Sequence, residues 1–243
     1  MRSQIRIAAV IAAAAITGGV AAPAGGVSPG AAGSIVKLSD EVRFTRFAYT
    51  DQRWFVYRTP GALGPPISRL RFLTEDRLPE NYLLLAQTTK ANGDTWVKIR
   101  LPQRPNGTTG WVKRAALGRF RLVRTRLLVE RSKLRITLYK NGKRIFRAPL
   151  GIGKPSTPTP AGHFWIREHF RVYGKTIYGP AAIGTSAHAR ITDWPHGGVV
   201  GIHGTNEPAL VPGRPSHGCM RMHNSDIRRL YRLLPIGTPL RIR

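Results

Sequence analysis

Between residues 44 and 117 the apolar positions come in short runs broken by turn-forming residues. Trp54-Phe55-Val56-Tyr57 ends at Arg58-Thr59-Pro60-Gly61, and Tyr82-Leu83-Leu84-Leu85 follows a turn at Pro79. Trp96-Val97-Lys98-Ile99 alternates apolar with polar, and Leu101-Pro102 and Pro105-Asn106-Gly107 turn the chain towards Gly110-Trp111-Val112. Strands this short at this spacing predict a small barrel over 43–118, with Trp96 and Trp111 as core residues. No nucleophile is paired with a base in this stretch.

Further on, Leu134, Ile136 and Leu138 alternate with Arg135, Thr137 and Tyr139, the signature of a half-buried strand. Asn141-Gly142 between two such runs predicts a tight hairpin, because both central residues of its turn need positive φ. A proline-rich connection from Pro155 to Gly162 leads into a strand around His163-Phe164-Trp165-Ile166. Turns are expected at Tyr178-Gly179-Pro180 and Trp194-Pro195-His196-Gly197-Gly198, followed by a short strand, Gly198 to Ile202, that ends at His203. Ile227, Leu230, Tyr231 and Leu234 fall at i, i+3, i+4 and i+7, so one helix is predicted there. Asn224-Ser225-Asp226 offers capping side chains and Pro235 stops it. A strand from Thr238 to Ile242 closes the chain, and the fold class is mainly β.

Charge changes the picture. Lys and Arg number 39 against 12 Asp and Glu, a formal net charge of +27. Such a field attracts polyanions: nucleic acid, anionic headgroups or phosphate-bearing wall polymers. The densest block, 113–147, has thirteen Lys or Arg against the single acid Glu130. The outward charges there also discourage edge-to-edge strand pairing. The N-terminus narrows the choice of partner. Arg2 and Arg6 precede an apolar run, Ile7 to Val20, and small residues follow at Ala21-Ala22-Pro23-Ala24. That order predicts a secretory signal over 1–24, followed by a Gly/Ala/Ser/Pro-rich linker over 25–42. Export places the protein in a cell-wall or periplasm-like space, where nucleic acid is no partner and anionic wall polymers are.

Candidate chemistry centres on Pro215-Ser216-His217-Gly218-Cys219-Met220-Arg221-Met222, which holds the chain's one cysteine. A lone cysteine closes no disulfide within the chain, so it is either an apolar filler or a thiol kept for reactivity. Gly218 lets a substrate come close, and Ser216 and His217 add hydrogen-bonding groups. Imidazole is the usual activator of a thiol. His203, in Gly201-Ile202-His203-Gly204-Thr205, is freer to reach the sulfur than His217, two residues away on a tight loop. A backbone carbonyl can orient the His203 ring, since no carboxylate lies close in sequence. Amides around Gly218 and Cys219 are candidate donors to an oxyanion. A zinc site from His203, His217, Cys219 and His223 is the competing arrangement. Gly151-Ile152-Gly153-Lys154 lacks the glycine spacing and the Ser/Thr of a nucleotide loop, so no cofactor is called for.

With His203-Gly-Thr and Ser216-His-Gly-Cys219 in hand, residues 124–243 closely resemble the L,D-transpeptidases of the bacterial cell wall, the YkuD-type catalytic domain. Gly151-Ile-Gly-Lys154, Pro158-Thr-Pro-Ala-Gly-His-Phe164, Tyr178-Gly179 and Ile202-His-Gly-Thr-Asn206 add to the likeness. Residues 43–118 resemble bacterial Src-homology-3-like domains, through Trp96-Val-Lys-Ile and Pro105-Asn-Gly-Thr-Thr-Gly-Trp-Val112. The resemblance implies a small barrel followed by a β-sandwich with a short C-terminal helix. It implies Cys219 as nucleophile, His203 as its base, the Gly204 carbonyl orienting the ring, and no metal or cofactor. Tyr178 would lie near the oxyanion and Arg221 would meet a substrate carboxylate. Thr205, Ser216, His217 and Gly218 complete the expected substrate-binding set. The implied reaction is acyl transfer on peptidoglycan stem tetrapeptides to form 3→3 cross-links, with carbapenems acylating the same sulfur. The alternatives are an L,D-carboxypeptidase and a wall-binding protein without catalysis.

Overall fold

The computed structural model describes residues 33–173, 176–192 and 198–243. The expected signal (1–24), the start of the linker and most of the turn at Trp194–Gly198 lie outside the described residues.

Eight strands occupy the N-terminal part: β1 (Val36–Lys37), β2 (Thr45–Tyr49), β3 (Phe55–Val56), β4 (Ser68–Arg69), β5 (Asn81–Thr89), β6 (Thr95–Arg100), β7 (Thr109–Lys113) and β8 (Arg121–Val123). Six form an antiparallel sheet in the order β7-β6-β5-β2-β8, with β1 also on β5; β3 and β4 make a separate pair. Leu38, Val56, Leu84, Val97, Ile99 and Val112 pack in its core, and Trp96 is buried as expected.

Both boundaries expected for this unit move outward. The linker predicted up to residue 42 already enters the sheet at β1, and Leu38 is buried in the core. Asp40 then holds the turn by accepting from the amides of Val42, Arg43 and Phe44. Gly/Ala/Ser composition hid these few ordered residues, because two-residue strands carry no periodicity. At the other end β8 pairs with β2, so the unit closes at residue 123 rather than 118.

The rest of the chain builds one ten-stranded sheet from β9 (Thr125–Glu130), β10 (Arg135–Lys140), β11 (Lys143–Pro149), β12 (Gly151–Gly153), β13 (Gly162–Arg171), β14 (Ala181–His188), β15 (Val199–His203), β16 (Gly213–Ser216), β17 (Met220–Arg221) and β18 (Pro239–Ile242). The order is β11-β10-β9-β18-β13-β14-β15-β17-β12-β16. Leu127, Ile136 and Phe146 from one end of this sheet share a single core with Ile183, Ile202 and Met220 from the other. The sandwich is therefore one curled sheet folded over its own apolar face. Helix α1 (Asn224–Leu233) adds Ile227 and Leu230 to that core. Asn141 and Gly142 both have positive φ, as the hairpin between β10 and β11 requires. Glu130, the single acid of the basic block, takes ion pairs from Lys133, Arg135 and Arg243.

One contact between the two units sets up the site. Arg167 on β13 is 1% exposed, and it pairs with Glu80 and with Glu75 (2.9 Å) from the N-terminal unit. Arg71 joins both carboxylates from its own side at 2.9 and 2.8 Å. Two guanidinium groups hold Glu75 at about 2, well below the usual carboxylate range, against the opposing effect of burial. Nearby, Trp165 Nε1 donates to Asn81 Oδ1 at 3.0 Å and Asn81 Nδ2 donates to the Arg167 carbonyl at 2.8 Å.

Candidate active site

β15 ends at His203 and β17 begins at Met220, and the two run parallel with Ile202 opposite Met220. That register sets Gly201 beside Cys219, and the Gly201 amide donates to Cys219 Sγ at 3.5 Å. Residues two apart on a strand share a face, so His203 and Cys219 are diagonal neighbours on one face of the sheet. Two cavities meet at this pair, of about 680 and 1140 Å³, and Tyr178, Val199, His203 and Cys219 line both.

The ring of His203 is fixed. Its Nδ1 lies 2.6 Å from the Gly204 carbonyl, which only accepts, so Nδ1 carries a proton and the neutral ring keeps its lone pair on Nε2. Burial lowers this imidazole to about 4, with the Gly204 carbonyl opposing and Arg221 reinforcing the shift. Burial also pushes the Cys219 thiol up, partly offset by the Gly201 amide and by Arg221. The resting pair is thus a neutral thiol and a neutral imidazole. Such a pair can deliver a proton to Nε2 only as the sulfur attacks, which is general-base chemistry. Tyr178 meets His203 edge-on, with ring centroids 5.0 Å apart. A Cβ on Gly204 or on Gly179 would come within 2.3 Å of Asn224 Oδ1, so this loop crossing is closed by backbone and one amide.

The cysteine loop is held from beneath. Ser216 Oγ donates to the Cys219 carbonyl at 2.5 Å and accepts from the Gly218 amide at 3.1 Å. Thr159 Oγ1 donates to the Gly218 carbonyl at 2.8 Å and accepts from the Gly153 amide at 2.9 Å. Gly218 has φ of +132°, and a Cβ there would lie 2.9 Å from Ala189 Cβ. The Gly151–Gly153 stretch is a buried strand that braces this loop, with the Lys154 amide donating to the Ser216 carbonyl.

The expected site residues divide into two groups. Cys219, His203, Tyr178, Ser216, His217 and Arg221 line one cavity together. Gly204 holds the ring of His203, and Gly218 shapes the loop. The Gly218 amide, expected among the oxyanion donors, is instead taken by Ser216 Oγ. Thr205 is turned away from both cavities: it is buried, its amide donates to Asn224 Oδ1, and its hydroxyl accepts from the Glu207 amide. Arg221 pairs with Glu207 at 2.7 Å while lining the cavity. Asn224, expected to cap α1, serves the Thr205 loop instead, and His223 stands at the helix N-cap. Among the described residues no three His, Cys, Asp or Glu side chains are grouped as a metal site needs.

The sequence reading missed Thr159 and Asn224. Their partners lie 59 and 19 positions away, so no local pattern marks them. It also missed Glu168 and Asp76, which line the larger cavity.

Sheet, cysteine loop and oriented imidazole all lie within the C-terminal unit. Residues 124–242 match the model of the YkuD family, described as the L,D-transpeptidase catalytic domain. YkuD of Bacillus subtilis (strain 168), named as an L,D-transpeptidase, is 36% identical over 107 residues, which cover 44% of this chain and 58% of that protein. YkuD of Bacillus licheniformis is 32% identical over 117 residues, 48% of this chain and 64% of that one. The matched region is thus less than two thirds of either relative. The catalytic domain of the Enterococcus faecium L,D-transpeptidase superposes with a TM-score of 0.39 at 25% identity, covering 49% of this chain and 96% of that domain.

Proposed function

We propose that the protein is an exported L,D-transpeptidase that forms 3→3 peptidoglycan cross-links through an acyl-enzyme on Cys219. The observation that carries this reading is the His203 ring, locked by Gly204 with Nε2 unprotonated on the face it shares with Cys219. Cys219 Sγ attacks the carbonyl of the L-centre of the diamino acid at stem position three, and its proton passes to His203 Nε2. The terminal D-alanine leaves with that proton, and the thioester keeps the free energy of the cleaved bond for a space without ATP. A side-chain amine of a second stem then takes the acyl group. Residues 1–24 direct export, and the strongly basic remainder of the chain holds the protein to anionic wall polymers by contacts that salt screens.

The test is intact mass after incubation with a carbapenem, wild type beside Cys219→Ala. Wild type gains one carbapenem mass and the variant gains none; an adduct on both, or on neither, overturns the assignment of the nucleophile. Product analysis on stem tetrapeptides then separates dimers, which the transferase makes, from tripeptide alone, which a carboxypeptidase makes.

A further inference from the structure

Glu168 stands at one end of a row that crosses the sheet to the sulfur. It is opposite Gly184 on β14, and Gly184 is opposite Gly201 on β15. The Gly201 amide in turn reaches Cys219 Sγ. Both residues between the carboxyl and the thiol are glycines, so the floor there is bare backbone. The carboxyl leans over the first of them, since a Cβ on Gly184 would lie 2.5 Å from Glu168 Oε1. Neighbouring strands are about 4.8 Å apart, which sets carboxyl and sulfur on the order of 5–10 Å from each other. Glu168 is 2% exposed, its Oε2 has no hydrogen-bond partner, and it lines the 1140 Å³ cavity that Cys219 also lines. A buried carboxyl oxygen without a donor is costly unless a ligand supplies one.

We propose that this cavity receives the acyl acceptor as a primary ammonium, which Glu168 binds and deprotonates for attack on the Cys219 thioester. The proposal rests on the acyl-enzyme reading above. In the step, the Glu168 carboxylate takes one proton from the ammonium. The freed nitrogen pair forms the C–N bond as the C–S bond breaks, and the second nitrogen proton passes through His203 to the departing sulfur. The products are an amide, a neutral thiol and a carboxylic acid that returns its proton to water. Asp76 of the N-terminal unit lines the same cavity and adds negative charge, so that unit helps to build the acceptor subsite. Arg171, Tyr173, Tyr178, His203 and Cys219 are the other titratable groups lining it, while Arg167, Asp76 and Glu80 act on the carboxyl through space and the Thr74 hydroxyl hydrogen-bonds to it. Burial raises Glu168 to about 7, which suits a group that must both accept and release a proton near neutrality. Water carries no charge, so this pairing favours the amine over hydrolysis.

The experiment uses the full purified chain with a stem tetrapeptide that has a free side-chain amine, and reads the ratio of dimer to tripeptide. Glu168→Gln keeps the shape and loses the charge. It is expected to leave carbapenem acylation within about twofold and to lower the ratio by about tenfold or more. An unchanged ratio with normal acylation overturns the proposal and leaves the acyl-enzyme standing. Tripeptide alone from wild type does the same. No carbapenem adduct on wild type overturns both. Should circular dichroism find Glu168→Gln unfolded, Asp76→Asn carries the test, with the ratio falling about threefold; no fall overturns the proposal.

Discussion

Arg167 Nε donates to Glu80 Oε1 at 2.9 Å, although the two residues are 87 positions apart, one on β13 and the other just ahead of β5. Both are buried, so neither charge has water to fall back on. Removing Glu80 leaves the buried Arg167 to share Glu75 with Arg71, and breaking a buried pair costs about 3–5 kcal/mol. Glu80→Ala is therefore expected to lower stability by roughly that amount. Lys133→Ala, whose side chain is 57% exposed in its pair with Glu130, should change it by less than about 1 kcal/mol. Urea unfolding of the two variants checks this; equal midpoints would show that the buried network holds nothing together.

Acid should unfold the protein in two stages. His169, His188 and His203 are each lowered by burial from 6.5 to about 4. Between those values the unfolded chain binds more protons than the native one, so stability is lost as pH falls from about 6.5 to about 4. Glu75, lowered from 4.5 to about 2, extends the loss from about pH 4.5 to about pH 2. Glu168, raised from 4.5 to about 7, works the other way, because its native state binds the extra proton. Three groups outweigh one, so the net slope above pH 4.5 stays positive. Unfolding free energies from pH 7 to pH 3 measure it; a flat profile would contradict the burial of these imidazoles.

Cys219 and His203 rest as a neutral pair, and alkylation can tell. An iodoacetamide rate that follows thiolate should climb steadily up to and beyond pH 9, the ordinary thiol value, because burial pushes this one higher. A thiolate–imidazolium pair would instead give a plateau starting well below neutrality. Carbapenem acylation, which needs only unprotonated Nε2, should persist down to about pH 4. A plateau in alkylation at pH 6 would reverse the assignment.

Thr159 ties Gly153 to Gly218 through one hydroxyl. Thr159→Val keeps the shape and leaves the Gly153 amide and the Gly218 carbonyl without that partner, at a cost of about 1–3 kcal/mol. Because those bonds brace the cysteine loop, acylation is expected to slow about tenfold at a temperature where the variant is still folded. Stopped-flow carbapenem acylation beside a thermal melt separates the two effects. A slower rate that stability alone explains would make Thr159 a packing residue only.

Much of this was legible in the chain itself. Short apolar runs and the Asn141-Gly142 pair mark the strands and the hairpin, because period-two alternation and positive φ are local properties. Ile227 and Leu230 mark helix α1 for the same reason, since both fall on its buried face. Cys219 and His203 stand out by residue type and by the glycines around them. The ends of the N-terminal unit did not stand out, since β1 and β8 are two and three residues long and exist only through their partners β5 and β2.

By its own pattern, then, the sequence determined a mainly β chain with one helix, a thiol and an imidazole near the ends of two strands. Tertiary structure alone decided that parallel pairing sets that imidazole diagonal to the thiol, that Thr205 and the Gly218 amide are engaged elsewhere, and that Glu168, Gly184 and Gly201 fall in one row across the sheet. Each of these depends on register between strands far apart in the chain. Register is fixed by the whole core at once, and no local stretch of residues encodes it.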